Sequence, residues 1–168
     1  TENTVEFKAY FLDENKQPSS KIYSKDSSNQ FSLKVANDMY MDISYMDTIY
    51  KDIQDADLQE ARYRYSDLGY YYMKRIIENY FDKPLDEVAD SLIWKRLGGT
   101  RTMYKPLQHG IPLKEIVPTE EDKFFRMQKV HGYVHDQGAA MMGGVAGHAG
   151  IFSNANDLAK YFQMLLNK

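Results

Sequence analysis

The residues best placed to do chemistry are Tyr65 and Asp67, in the run Arg64-Tyr65-Ser66-Asp67-Leu68-Gly69-Tyr70. A tyrosine followed two positions on by a short polar residue, just ahead of an amphipathic helix, is one part of a serine acyl-transfer site. A serine hydroxyl is a weak nucleophile until a neighbouring group takes its proton. A phenol titrates near ~10 and acts as a base near neutrality only with cations beside it. The groups that would complete such a site are missing. No serine is followed three residues later by lysine, and no Lys-Thr-Gly or Lys-Ser-Gly triplet occurs. The chain reads as a piece of an enzyme that carries one catalytic element and lacks the nucleophile.

The elements that must position Tyr65 and Asp67 are helices. Leu68, Tyr71, Tyr72, Ile76, Ile77 and Tyr80 form an apolar band, which predicts a helix whose natural N-cap is Ser66 or Asp67. Pro84 breaks it. A further helix is predicted from about Leu85 to Trp94, with Asp86 and Glu87 in a first turn that favours negative charge, and Leu97-Gly98-Gly99 ends it. Upstream, Ile43, Met46, Ile49, Tyr50 and Ile53 recur at spacings of three and four and predict a helix near 44–54. Downstream, Ser153-Asn154-Ala155-Asn156-Asp157 opens a last helix with Leu158, Tyr161, Phe162, Leu165 and Leu166 on one side. It runs to Lys168 with neither glycine cap nor proline stop, as if cut there. Between Thr100 and Asp136 no helical period appears, and Pro106, Pro112 and Pro118 punctuate an irregular segment. Residues 1–30 are a polar, loop-rich lead-in, with Phe7, Tyr10, Phe11 and Leu12 available for packing.

One domain of ordinary size is expected of 168 residues, and a hydrophobic fraction of 43% can supply a core. Much of that fraction is tyrosine, at 14 copies, whose hydroxyls want partners and suit a wet or interfacial surface. A net charge of -3 argues against broad nucleic-acid binding. No apolar run approaches the ~18 residues of a membrane span. The absence of cysteine excludes disulfides and thiolate metal sites. The first residues form no signal sequence and include no initiator methionine, which suggests a processed end.

Two ordered blocks carry a resemblance. The first is Tyr65-Ser66-Asp67-Leu68-Gly69-Tyr70, then Ile76-Ile77-Glu78, Pro84-Leu85-Asp86 and Leu97-Gly98-Gly99 with Thr102. The second is Gly143-Gly144-Val145-Ala146-Gly147-His148-Ala149-Gly150-Ile151-Phe152-Ser153, followed by Asp157-Leu158-Ala159. Together they resemble the serine beta-lactamase-like family, the group of class C beta-lactamases, D,D-peptidases and esterases. With His131-Gly132-Tyr133-Val134-His135-Asp136, the pattern is similar to the beta-lactamase-like domains fused to bacterial beta-N-acetylhexosaminidases. The resemblance is clear from about Tyr65 to Lys168, weaker from Ile22 to Ala56, and not claimed before that.

The resemblance implies a fold and roles. The expected fold is mainly α: a helical subdomain plus irregular loops of a beta-lactamase-like α/β fold, with most of the sheet missing. It would be a single partial domain, with 31–168 its helical part. Tyr65 stands at the family tyrosine that helps move the serine's proton, and Asp67 stands where the family has asparagine. Asparagine offers a donor and an acceptor, whereas ionised aspartate only accepts. That weakens the grip on an acylamino group, so the parent is expected to be a poor beta-lactamase. Arg96 replaces the proline of a Pro-Leu-Gly turn. Without the family lysines, Tyr65 is expected to lack a catalytic environment in this chain.

Other features have simpler readings. Thr48-Ile49-Tyr50-Lys51 has nucleophile spacing but lies too close to Tyr65. His148-Ala149-Gly150 mimics a late family triplet in the wrong place, and its glycines serve backbone geometry. His131 and His135 would be about 6 Å apart in rise on a helix. Gly132-Tyr133-Val134 favours extended chain, which separates them by roughly 13 Å, too far for one ion. Thr119-Glu120-Glu121-Asp122-Lys123 reads as a solvated turn, with a glycosidase carboxylate pair as its alternative. Tyr70-Tyr71-Tyr72 divides between core and surface, or stacks on sugar. The glycine run lacks the end of a phosphate loop. No cofactor or metal is expected.

The leading expectation is an inactive fragment of a bacterial cell-envelope serine hydrolase, periplasmic or wall-associated, acting on amide or ester bonds of a peptidoglycan-type substrate. The expected partner is the rest of the parent chain. The alternatives are a non-catalytic cell-wall binding module and a partner domain supporting a fused glycosidase.

Overall fold

The structure is a computed structural model that describes residues 11–57, 63 and 65–167. Phe7, Tyr10 and Arg64, quoted above, lie outside the described residues. The first sheet comprises β1 (Tyr23–Ser24), β2 (Leu33–Ala36) and β3 (Met39–Met41), antiparallel in the order β1-β3-β2. Asn37-Asp38 turns β2 into β3, with Asp38 at φ 46, a left-handed geometry that a short polar side chain tolerates. Alternation sends Val35, Met39 and Met41 inward and places Lys34 opposite Tyr40 on the other face.

Helix α1 (Tyr45–Gln54) buries Ile49 and Ile53 against this sheet's core, at the bounds its period predicts. Helix α2 (Leu68–Phe81) follows the Tyr65 segment and ends where Asp82 turns left-handed at φ 51. Helix α3 (Leu85–Ala89) continues into a π-helical turn, Asp90–Trp94, that brings Trp94 inside. The amide of Leu85 donates to Glu78 Oε1 at 3.0 Å, so α2 itself caps α3.

Beyond Gly98 the chain forms β4 (Met103–Tyr104), two 3-10 turns at Pro106–His109 and Leu113–Glu115, and the hairpin β5 (Glu120–Asp122) with β6 (Gln128–Val130). Helix α4 (Gln137–Met141) precedes the glycine-rich loop. Strand β7 (Ile151–Phe152) then pairs with β4, and α5 (Ala155–Leu166) closes the description. Phe11, Ile22, Val35, Met41, Ile49, Phe125, Ala139 and Ala140 share the main core, and Leu85, Tyr104 and Val145 form a smaller one.

Among the described residues, five α-helices and seven short strands make a mixed arrangement in which helix outweighs strand, consistent with part of an α/β fold. The strands have two to four residues, too short for a period of two to be read. The apolar band of α2 also needs correcting. Its buried residues are Tyr71 and Lys74, while Ile76 and Tyr80 are 64% and 81% exposed, because only one flank of the helix meets described chain. The acidic stretch is no solvated turn: it is strand β5, and its Asp122 is buried.

Asp122 anchors the second half of the chain. One carboxylate oxygen accepts the amides of Phe124 and Phe125, at 3.0 and 2.8 Å. The other accepts Arg126 Nε at 2.7 Å, with both side chains fully buried. Burial pushes the Asp122 carboxyl up, but the guanidinium and the amides outweigh it and hold it below the usual carboxylate range. The folded state therefore binds fewer protons than the unfolded chain. Asp122 contributes stability above its unfolded value of about 3.9, which is lost as pH falls through the folded value. Arg126→Met is expected to cost about 3–5 kcal/mol by leaving a buried charge unpaired. Urea unfolding at neutral pH measures it. A cost below about 1 kcal/mol, the range of an exposed pair, would overturn this account.

Candidate functional site

Tyr65 is exposed, at 64%, and its hydroxyl donates to Asp67 Oδ1 at 2.5 Å. Asp67 occupies the N-cap position of α2 but makes no side-chain cap bond, because its carboxylate is taken up by Tyr65. Ser66 Oγ instead accepts the amide of Leu68 at 3.2 Å. The Asp67 hydrogen bond, then partial desolvation and the Asp67 charge, push the Tyr65 phenol up to about 12. Here Tyr65 is a proton donor held by a carboxylate.

The glycine-rich loop packs against this end of α2. A Cβ at Gly147 would lie 2.7 Å from the Tyr70 carbonyl oxygen, and one at Gly138 would lie 2.0 Å from Tyr71 Oη. Only glycine permits these approaches. Asp136 caps α4 by accepting the Ala139 amide at 2.6 Å, and the same oxygen bonds His148 Nε2 at 3.1 Å. The His148 ring is buried and stacks on Tyr71, with centroids 4.9 Å apart and planes at 23°. Burial pushes Asp136 up, but His148 and the Ala139 amide outweigh it and hold the carboxyl low. An ionised Asp136 can only accept, so Nε2–H donates the hydrogen bond, and Nδ1 is buried without a hydrogen-bond partner among the described residues. Burial, then the Asp136 charge, pushes the Tyr71 phenol above its ordinary value.

A cleft of about 410 Å³ lies here, lined by Tyr104, Thr119, His135, Asp136, His148 and Phe152 among others. Val134 and Phe152 also line a second cavity of about 260 Å³, beside Lys34, Lys105, Gln108 and Tyr133. The Tyr104 hydroxyl donates to the Ala146 carbonyl at 3.1 Å and ties the loop to β4.

The two sequence blocks also meet at Asp157. Its carboxylate accepts the Arg101 amide at 2.7 Å and the Thr102 hydroxyl at 3.3 Å, and Thr102 Oγ1 lies 2.7 Å from Ser153 Oγ. Asn154 caps α5 by accepting the Asp157 amide at 2.9 Å.

Of the other candidates, only His135 reaches the Asp136–His148 cleft. His131 Nε2 bonds the Ile116 carbonyl at 2.6 Å, and His135 Nδ1 pairs with Glu120 at 2.7 Å. Thr48 and Lys51 sit on α1. Tyr71 is buried, while Tyr70 and Tyr72 are exposed. Among the described residues no three His, Cys, Asp or Glu side chains converge as metal ligands would. The residues that the sequence reading missed are Asp136 and His148 as a pair. Their separation of twelve has no period, and the only clue was an aromatic run on the facing helix.

Comparison with known families matches residues 24–168 to the Beta-lactamase model. The chain belongs to the serine beta-lactamase-like family. An "N-acetylmuramyl-L-alanine amidase" of Bacillus subtilis is 38% identical over 119 residues, 64% of this chain and 27% of that protein. A "Putative D-alanyl-D-alanine carboxypeptidase" of Escherichia coli K12 is 36% identical over 118 residues, again 64% and 27%. The matched region thus spans about a quarter of the length of these relatives. No solved structure gave a match.

The Tyr65–Asp67 bond has a direct test. In a titration followed by the tyrosine ring carbon shifts, Tyr65 is expected to stay protonated beyond the ordinary value of about 10. Asp67→Asn is expected to bring it down towards that value, since the amide carries no charge. Ionisation of Tyr65 in the unsubstituted chain at or below the ordinary value would contradict the geometry.

Proposed function

We propose that this chain is part of a serine hydrolase of the bacterial cell envelope that acts on amide or ester bonds of a peptidoglycan-type substrate. The observation that carries the reading is the junction of the two family blocks: Tyr70 and Tyr71, in the first turn of the helix that follows the Tyr65–Asp67 motif, pack on Gly147 and His148. The names of the relatives, an amidase and a D-alanyl-D-alanine carboxypeptidase, favour a wall substrate and an envelope location, the periplasm included.

In this reading the chain is the helical part of the domain. The nucleophile and most of the sheet come from the rest of the parent protein, its natural partner. The exposed apolar sides of Phe162, Leu165 and Leu166 on α5, and of Ile76 and Tyr80 on α2, suit such a covering. A fused beta-N-acetylhexosaminidase would complete the parent. The intact enzyme attacks a carbonyl through serine, and Tyr65 relays the proton once lysines from the missing parts lower its phenol. Asp67, an acceptor only, makes the parent a peptidase or esterase rather than an efficient beta-lactamase.

Non-catalytic wall binding is the second reading, favoured by two cavities already built from described residues.

Intact mass after incubation with a reactive penicillin tests the proposal. This chain is expected to remain unmodified, while the full-length parent gains one stoichiometric adduct on a serine outside these 168 residues. An adduct on this chain, or none on the parent, would refute it.

A further inference from the structure

The cleft of about 410 Å³ has a histidine–carboxylate pair besides Asp136–His148, and this one is open to water. His135 lines the cleft together with Thr119 and Asp136. Its Nδ1 lies 2.7 Å from Glu120 Oε2, and the two side chains are 67% and 32% exposed. An ionised carboxylate can only accept, so Nδ1–H donates and the neutral ring carries its lone pair on Nε2. Nε2 makes no hydrogen bond with any described residue. His148 offers no such atom, because its free nitrogen is buried.

Both partners of the pair are held from behind. Glu120 follows Thr119, whose amide donates to the Val130 carbonyl at 2.9 Å and whose hydroxyl donates to the Tyr133 carbonyl at 2.8 Å. The next two carbonyls, of Val134 and His135, accept from the buried Arg126 guanidinium. Thr119 thus ties the Glu120 strand to the His135 segment, and Arg126 fixes the backbone that carries the ring. An exposed pair adds little to stability. Its effect here is on the ring: Glu120 sets its tautomer and its direction, from a backbone that is already fixed. The charge of His135 also acts on the Asp136 carboxyl. A proton taken up by this ring therefore makes a cation that two carboxylates stabilise.

We propose that His135 is a general base of this cleft, positioned by Glu120, and that it activates the water that frees the acyl group from the enzyme's serine. The proposal rests on the hydrolase reading above and adds a residue for its second half. In that reading Tyr65 moves the serine's proton while the acyl-enzyme forms. Turnover then needs a group that accepts a proton from water, and a neutral imidazole does so near neutrality. The water oxygen bonds to the acyl carbon as Nε2 takes one of its protons. The tetrahedral intermediate collapses, and the bond between that carbon and the serine oxygen breaks. Nε2–H returns the proton to the serine oxygen, and the acyl group leaves as a carboxylic acid.

Two measurements test it. In the full-length parent, turning over a thioester of N-acetyl-D-alanine, His135→Gln is expected to lower the steady-state rate about 100-fold. Intact mass is expected to show the acyl-enzyme accumulating in that variant. Formation of the penicillin adduct by the same variant shows that it is folded. In the ¹⁵N-labelled 168-residue chain, ring nitrogen shifts are expected to show neutral His135 as the Nδ1–H tautomer. Glu120→Ala is expected to release it to a mixture rich in the Nε2–H form, a change that a merely structural Glu120 would not make. An unchanged rate in His135→Gln, a fall without accumulated acyl-enzyme, or an Nε2–H tautomer in the unsubstituted chain would overturn the inference. A parent that takes no penicillin adduct sinks the hydrolase reading and this role with it. A parent that takes the adduct and is indifferent to His135→Gln leaves that reading standing and removes only this one.

Discussion

The second half of this chain hangs on one buried arginine. Arg126 spends its guanidinium on three acceptors: Asp122 Oδ2 and the carbonyls of Val134 and His135, at 2.7, 2.6 and 2.5 Å. The first contact closes the β5–β6 hairpin. The other two hold residues 134 and 135, which lie immediately before Asp136. A backbone carbonyl in the interior needs a donor, and here one planar fork serves two of them. With residues 134–135 fixed, Asp136 is aimed at both the α4 amide and His148. His148 in turn presents the ring on which Tyr71 stacks. The chain of contacts thus runs from a buried ion pair in a hairpin to the helix that carries the Tyr65 motif.

That order explains what was legible in the sequence. Helices α1, α2 and α5 were visible because apolar residues recur along them, and local spacing survives whatever the tertiary context. The side that α2 buries was not visible. Tyr71 lies inside because Gly138 and His148 pack on it, and nothing in the α2 sequence reports the loop that carries them. Asp122 was invisible as a core residue for a related reason. A carboxylate among three acidic residues reads as solvated unless its arginine and its two amide donors are known to surround it. The contact between Tyr65 and Asp67 is legible because residues two apart on the chain stay close in space. Asp136 and His148 meet only when α4 and the glycine loop fold back.

The glycines carry a further lesson. Their general purpose, tight backbone geometry, was readable from the run itself, but the run mixes two physical demands. Gly143, Gly144 and Gly150 take positive φ values of 75, 79 and 119. Gly147 does not; it is small because the Tyr70 carbonyl sits where a Cβ would be. Alanine at the first kind strains its own backbone, whereas alanine at Gly147 pushes α2 away from the loop. The second kind couples the glycine block to the Tyr65 motif, and it explains why two segments so far apart in sequence belong to one site.

The charge around Tyr65 sets its chemistry. A phenol that relays a proton must give it up at a modest cost, and nearby cations lower that cost while carboxylates raise it. The group acting on Tyr65 here is chiefly Asp67, through its hydrogen bond and its charge, and it works in the costly direction. Asparagine at the Asp67 position would supply a hydrogen bond without that charge. In the proposed relay, aspartate therefore raises the positive charge that must be brought to the phenol. The same carboxylate would give the lysines of that proposal a fixed anion to pair with, so the residue that holds the Tyr65 proton would also help to seat the groups that release it.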